Sequence, residues 1–163
     1  SDSPRSEATV RMIVRHAKVI FGTAIKAELI AKNPLAGIAS TSLPANRERF
    51  VDAGETEHIL DVATPQWRVL IGLCRLAGIR CPSESHGLQW SDIDWERHRM
   101  TVRSPKTERW NGHESRVVPI TPPLLSILQD AYDATPEGQN QVVTLSRNNL
   151  RRTFHKILAQ AGL

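Results

Sequence analysis

The sequence predicts a mainly α-helical fold with a small antiparallel β-sheet, an α+β arrangement. Three observations carry this. Apolar residues recur at three- and four-residue steps through most of the 163 residues. A two-residue alternation interrupts them only briefly, at Met100 and Val102 and again from Val117 to Ile120. Proline, glycine and capping residues stand where the helical runs should open and close.

The first run is Val10, Ile13, Val14, Ala17, Ile20, Phe21, Ala24, Ile25 and Leu29. It predicts one long amphipathic helix from about Ser6 to Lys32, stopped by Asn33-Pro34, since proline pushes its predecessor out of the helical region. Such a helix cannot bury its own apolar face. It must pack on the rest of the chain or belong to a further N-terminal domain. Residues 36–49 read as a linker, small and Ser/Thr-rich, with Pro44 and the charged run Arg47-Glu48-Arg49.

A second beginning comes at Phe50. Asp52 and Glu55 have the spacing of a capping box and open a helix to about Val62. Thr64-Pro65 opens the next, with proline at the first helical position. That helix carries Trp67, Val69, Leu70, Leu73, Cys74 and Leu76, apolar nearly all round, and should be the buried central helix, closed by Gly78. Pro82 suits a short helix to about Gly87. Asp92, Asp94 and Glu96 to Arg99 read as turns before two short strands. The polar connection between them, Ser104 to Ser115, is long for a hairpin, and long loops are often functional. Thr121-Pro122-Pro123 opens a helix through Leu124, Leu128 and Ala131. Val142 and Val143 read as a short strand. Ser146 should cap a last helix ending at Gly162.

Composition excludes several classes. Hydrophobic residues make up 40% and charged residues 23%, a globular balance. No run approaches the roughly 20 apolar residues of a membrane helix, and Ser1 to Glu7 has no apolar signal core. Four of the eight aromatic residues are tryptophan, too few in all for a single-strand stacking platform. The net charge of +4 and pI near 9.5 suit a polyanionic partner. Cys74 and Cys81 lie seven apart, flanking the Gly78 turn. One possible pair is no disulfide framework, and a reducing cytoplasmic setting is the default. No CxxC or HxxxH pair exists among the cysteines and six histidines, so no metal site is expected.

The residues that could do chemistry start with Arg80, which follows Gly78-Ile79 at the end of the most apolar helix. Glu84 lies four residues on and could hold it, leaving other N–H donors free for two phosphate oxygens. A plain structural pair is the competing reading. The context decides between them. The stretch Leu76-Ala-Gly-Ile-Arg80-Cys-Pro-Ser-Glu84-Ser-His-Gly-Leu88-Gln-Trp90-Ser-Asp92-Ile-Asp94 resembles the first catalytic box of tyrosine recombinases, the phage-integrase family. Pro105-Lys106-Thr107, a polar loop, and Arg116-Val-Val-Pro119-Ile120 resemble its lysine-bearing β-hairpin. The resemblance covers about residues 50–163, and the order and spacing of the motifs give it its force.

The resemblance implies a catalytic-domain-like fold and site-specific DNA recombination by phosphoryl transfer through a 3′-phosphotyrosyl link. Double-stranded DNA would be the partner, with no cofactor. It implies that Arg80 grips the scissile phosphate, that Lys106 protonates the leaving 5′-oxygen, and that Glu84 orients Arg80. Arg116 would stabilise the hairpin or meet a phosphate. Arg109 in the hairpin loop and Arg147 and Arg151 on the last helix would face DNA or, as the plainer reading, solvent, while His86 takes a surface helix position with no role. Residues 1–35 would end in the last helix of a DNA-clamping domain, 36–49 would be linker, and 50–163 a partial catalytic domain.

Departures matter as much. The family's second box, histidine-x-x-arginine, and its later tyrosine nucleophile are not found. Asn148-Asn-Leu-Arg151 matches only loosely, and by position belongs to the helix before that box. The only tyrosine, Tyr132, falls in the helix after the sheet and reads as a packing residue. The expectation is therefore a domain cut before its nucleophile, which binds DNA and does not cleave it, and is monomeric where relatives assemble as tetramers. A non-catalytic DNA-binding module, a degenerate integrase, is the alternative.

Overall fold

A computed structural model describes residues 5–41, 50–104 and 115–163. Pro44 and the charged run Arg47-Glu48-Arg49 of the linker, and Lys106 with Arg109 in the hairpin loop, lie outside the described residues. The chain divides into two compact units, Ser1–Phe50 and Val51–Leu163.

The first unit is built on α1, Glu7–Lys26. Ser6 caps it by accepting from the Thr9 N–H at 3.3 Å. The helix stops six residues earlier than the sequence predicts, and not at proline. Leu29 N–H reaches back to the Ala24 carbonyl at 2.9 Å, and Glu28 takes the left-handed conformation at φ 57°. This fold-back satisfies the last carbonyls of the helix and ends it. The following segment is then pinned alongside: Lys18 Nζ donates to the carbonyls of Ala36 and Ile38, and Asn33 Nδ2 donates to that of Lys18. No residue of α1 is buried within the structure.

In the second unit the order is α2 (Ala53–Val62), α3 (Pro65–Ala77), a 3-10 turn at Ser85–Gly87, another at Trp90–Asp92, β1 (Ile93–Asp94), β2 (Arg99–Arg103), β3 (Ser115–Pro119), α4 (Pro122–Asp133) and α5 (Leu150–Gln160). Both members of the Asp52–Glu55 capping box form. Pro65 and Pro122 each open a helix, and Gly78, left-handed at φ 64°, closes α3. The core gathers Leu70 and Leu73 of α3, Leu124 and Leu128 of α4, and Met100 and Val102 of β2, all buried. Gly72 lets α3 and α4 approach closely, for a Cβ there would sit 3.2 Å from Leu124 Cδ1 and 3.3 Å from Ile127 Cδ1. The three strands run antiparallel in the order β1-β2-β3, with Met100 opposite Val118 and Val102 opposite Arg116.

Four sequence expectations need correction. The sheet has a third strand, β1, only two residues long and too short to show alternation. Val142 and Val143 are buried but form no strand; the neighbouring Gln141 makes an isolated bridge to Gln89. The last helix begins at Leu150, not Ser146. Asn149 is left-handed at φ 61°, and the Ser146 hydroxyl accepts from the Asn148 N–H in a local turn instead. His86 is buried, not on the surface.

Candidate functional site

The site begins where α3 ends. The left-handed Gly78 turns the chain so that Ile79 N–H donates to the Leu73 carbonyl at 3.1 Å. Ile79 seats in the core, and Arg80 is the next residue out. A turn follows, with the Glu84 and Ser85 N–H groups both donating to the Arg80 carbonyl. That turn aims the Glu84 carboxylate back. Oε2 accepts the Arg80 backbone N–H at 2.9 Å, and Oε1 accepts from Nη1 at 3.1 Å. The four-residue spacing thus places the pair as the sequence requires, through a turn and not through a regular helix.

The sheet brings two further groups. From β3, Arg116 makes a two-pronged contact with the same carboxylate, Nη1 to Oε1 at 2.7 Å and Nη2 to Oε2 at 2.8 Å. Just past β2, the Ser104 hydroxyl donates to Glu84 Oε1 at 2.9 Å and accepts from Arg80 Nη1 at 3.2 Å. The Glu84 side chain is 1% exposed, Arg80 54% and Arg116 39%. One buried carboxylate therefore holds two guanidinium groups that reach solvent. Among the described residues, two positive charges against one negative leave a surplus of one. Among the described residues, Nε and Nη2 of Arg80 meet no partner.

The charges set the protonation. Hydrogen bonds from Arg116 hold the Glu84 carboxyl down at about 2; burial opposes this, and bonds from Arg80 and Ser104 reinforce it. The same contact raises Arg116 above its ordinary value. At neutral pH the cluster is a fixed, ionised array with Arg80 pre-positioned at its surface. It can receive an oxyanion without first reorganising, the property that gives such groups their value toward developing negative charge.

Ser104 and the Arg116–Glu84 contact were not legible in the sequence. They lie 20 and 32 residues from Glu84, and only the sheet register brings them in. Of the other basic candidates, Arg147 and Arg151 are exposed, in the turn before α5 and in its first turn. Arg147 lies close enough to His86 to help hold that imidazole neutral, after burial, the larger cause. Arg151 lies at the rim of an apolar groove between α2, α3 and α5. Tyr132 packs its ring against Trp90, at 5.2 Å and edge-on, and against Trp95 at 5.4 Å.

The phage integrase family profile matches residues 49–163. The chain belongs to the phage integrase family. It is 28% identical to a putative integrase/recombinase of Haemophilus influenzae, over 88% of this chain and 41% of that protein. It is 27% identical to the ICEBs1 integrase of Bacillus subtilis, over 84% of this chain and 40% of that protein. The chain thus spans about two fifths of the length of these curated relatives. Among solved structures, a lambda integrase dimer bound to a COC′ core site superposes with a TM-score of 0.71 at 19% identity, covering 96% of this chain and 59% of that one. The Tn1549 transposon integrase in complex with a circular intermediate DNA gives 0.64 at 21% identity, covering 86% and 49%. XerA recombinase gives 0.58 at 16%, covering 90% and 53%. At these identities the likeness is one of fold, and it agrees with the helical domain and small antiparallel sheet of this integrase-family chain. None of its described helices is long and apolar enough to cross a membrane.

Proposed function

We propose that this chain supplies the first half of the scissile-phosphate site of a DNA strand-exchange enzyme acting through a 3′-phosphotyrosyl link. The observation that carries the proposal is the shared Glu84 carboxylate, which presents Arg80 with surplus positive charge and with donors that meet no partner among the described residues. A purely structural pair would need one guanidinium. In this reading Arg80 binds the non-bridging oxygens of the phosphate and stabilises the charge that develops as tyrosine attacks. Lys106 protonates the departing 5′-oxygen. Glu84, itself held by Arg116 and Ser104, is the positioning residue. Arg109, Arg116, Arg147 and Arg151 meet other phosphates of double-stranded DNA. Residues 1–35 end in the last helix of a DNA-clamping domain, with 36–49 as linker.

The nucleophile in this reading is not Tyr132, whose ring is occupied against two tryptophans. On their own, these 163 residues bind duplex DNA as a monomer and form no covalent adduct. In the intact enzyme, four subunits act on paired sites.

The test is a salt series of duplex binding. The expected result is a log–log slope of several phosphate contacts, reduced by about one in Arg80→Ala. Affinity that does not depend on salt would overturn the DNA reading. A nicked suicide duplex checks the second part, since a covalent adduct would contradict it. In the intact enzyme, Arg80→Ala should abolish cleavage while lowering DNA affinity only modestly. Equal loss in both would favour a non-catalytic binding module.

A further inference from the structure

The geometry that places Arg80 also places two thiols. Ile79 N–H folds back onto the Leu73 carbonyl at 3.1 Å. Residue 81, two beyond Ile79, therefore returns beside residue 74, one beyond Leu73. Cys74 and Cys81 are both free, Cys81 exposed and Cys74 half-buried, and both line the apolar groove between α2, α3 and α5. Cys81 lies close enough to act on the Cys74 thiol. The groove, about 550 Å³, has Leu70, Ile71 and Phe154 in its walls.

We propose that Cys74 and Cys81 form a redox-modification site that a low-molecular-weight disulfide closes into an intramolecular cross-link. The chemistry runs in two exchanges. The exposed Cys81 thiolate attacks the small disulfide, forming a mixed disulfide and releasing one thiolate. Cys74 then loses its proton to solvent and attacks the Cys81 sulfur. The Cys74–Cys81 bond forms, the mixed disulfide breaks, and a second small thiolate leaves. The two protein thiols are oxidised and the one small disulfide is reduced to two thiols.

The order follows from the surroundings. Burial, and then the neighbouring Cys81, push the Cys74 thiol up to about 12, so it is a poor first attacker. Once Cys81 is capped its free thiol no longer faces Cys74, and one cause of the Cys74 rise goes with it. An exposed attacking thiol beside a resolving thiol is the arrangement that thiol–disulfide exchange requires. The cross-link would tether the residue next to Arg80 to the last turn of α3.

The test treats the native 163-residue chain with oxidised glutathione and reads intact mass and a tryptic digest. Cleavage after Arg75 and Arg80 puts the cysteines in separate peptides. The expected product has lost two hydrogens, retains no glutathione, and joins peptide Val69–Arg75 to peptide Cys81–Arg97. Dithiothreitol should reverse it. Cys74→Ser should instead stop at a stable glutathione adduct on Cys81, and Cys81→Ser should resist modification. A wild-type chain that keeps glutathione on Cys81, or leaves both thiols free, overturns the proposal. This readout involves no DNA, so it stands or falls apart from the proposed function.

Discussion

Two buried carboxylates of the second unit make an instructive pair. Asp92, with its side chain 6% exposed, accepts the Gln89 N–H at 2.9 Å and a two-pronged contact from Arg103 at 3.1 and 2.8 Å. Glu84, at 1%, accepts two guanidiniums, a hydroxyl and a backbone N–H. Geometrically the Arg103 fork is as good as the Arg116 fork. The difference is arithmetic. Around Asp92 one positive charge meets one negative, and the account closes. Around Glu84 a positive charge is left over, at the surface, on a side chain whose backbone is fixed by the same carboxylate. A fork–fork contact alone is weak grounds for function, because structural pairs make it too. The surplus separates the two.

Removing each carboxylate should sharpen that contrast. Glu84→Ala removes the acceptor shared by two guanidiniums and the Arg80 N–H, and should cost about 2–4 kcal/mol in urea unfolding, since both arginines reach water but the Arg80 N–H loses its partner. A cost under about 1 kcal/mol would mean that the cluster opens easily to water. Asp92→Ala should cost less, about 1–3 kcal/mol, because Arg103, 59% exposed, can turn to water and only the Gln89 N–H is left wanting. Equal costs would erase the distinction drawn here.

Acid separates Glu84 from a neighbouring buried group. Glu84 has a folded pKa near 2 against an ordinary 4.5, so its stabilisation is complete above about 4.5 and lost as pH falls toward 2. His86 is also depressed, from 6.5, by burial and then Arg147. Its neutral form is favoured in the fold, so stability should begin to fall already as pH drops below 6.5. Unfolding followed from pH 7 to 3 should show both phases. His86→Gln should remove the upper one alone, and a variant that keeps it would exclude His86 as its source. The smallest effect on stability is expected from Arg80→Ala, under about 1 kcal/mol because the side chain is 54% exposed. Its consequence should appear instead in the salt dependence of DNA binding, whereas Arg103→Ala should leave that slope unchanged.

Local chemistry was legible in the sequence, and distant pairing was not. Asp52 with Glu55, Pro65, Gly78 and Pro122 act within a turn of where they stand, and each helix boundary they mark is found. Arg80 and Glu84 are four apart and meet. Arg116 and Ser104 reach Glu84 only because β2 and β3 pair in one register, which no local pattern encodes. His86 was misplaced for the same kind of reason. Its surroundings include Leu145 and Arg147, 59 and 61 residues further along the chain. α1 failed differently: its apolar period continues to Leu29, but a fold-back at Glu28 stops the helix first.

The shared carboxylate has a consequence for how such a site can be inherited. A descendant that loses Arg80 alone keeps a satisfied Glu84–Arg116 fork and folds, though without its grip on phosphate. A descendant that loses Glu84 first carries two unneutralised arginines and is disfavoured before any new role can be tried. The order of substitutions is therefore constrained. Decay of this site should begin at Arg80 and reach Glu84 last, leaving lineages in which a well-folded remnant outlives its chemistry.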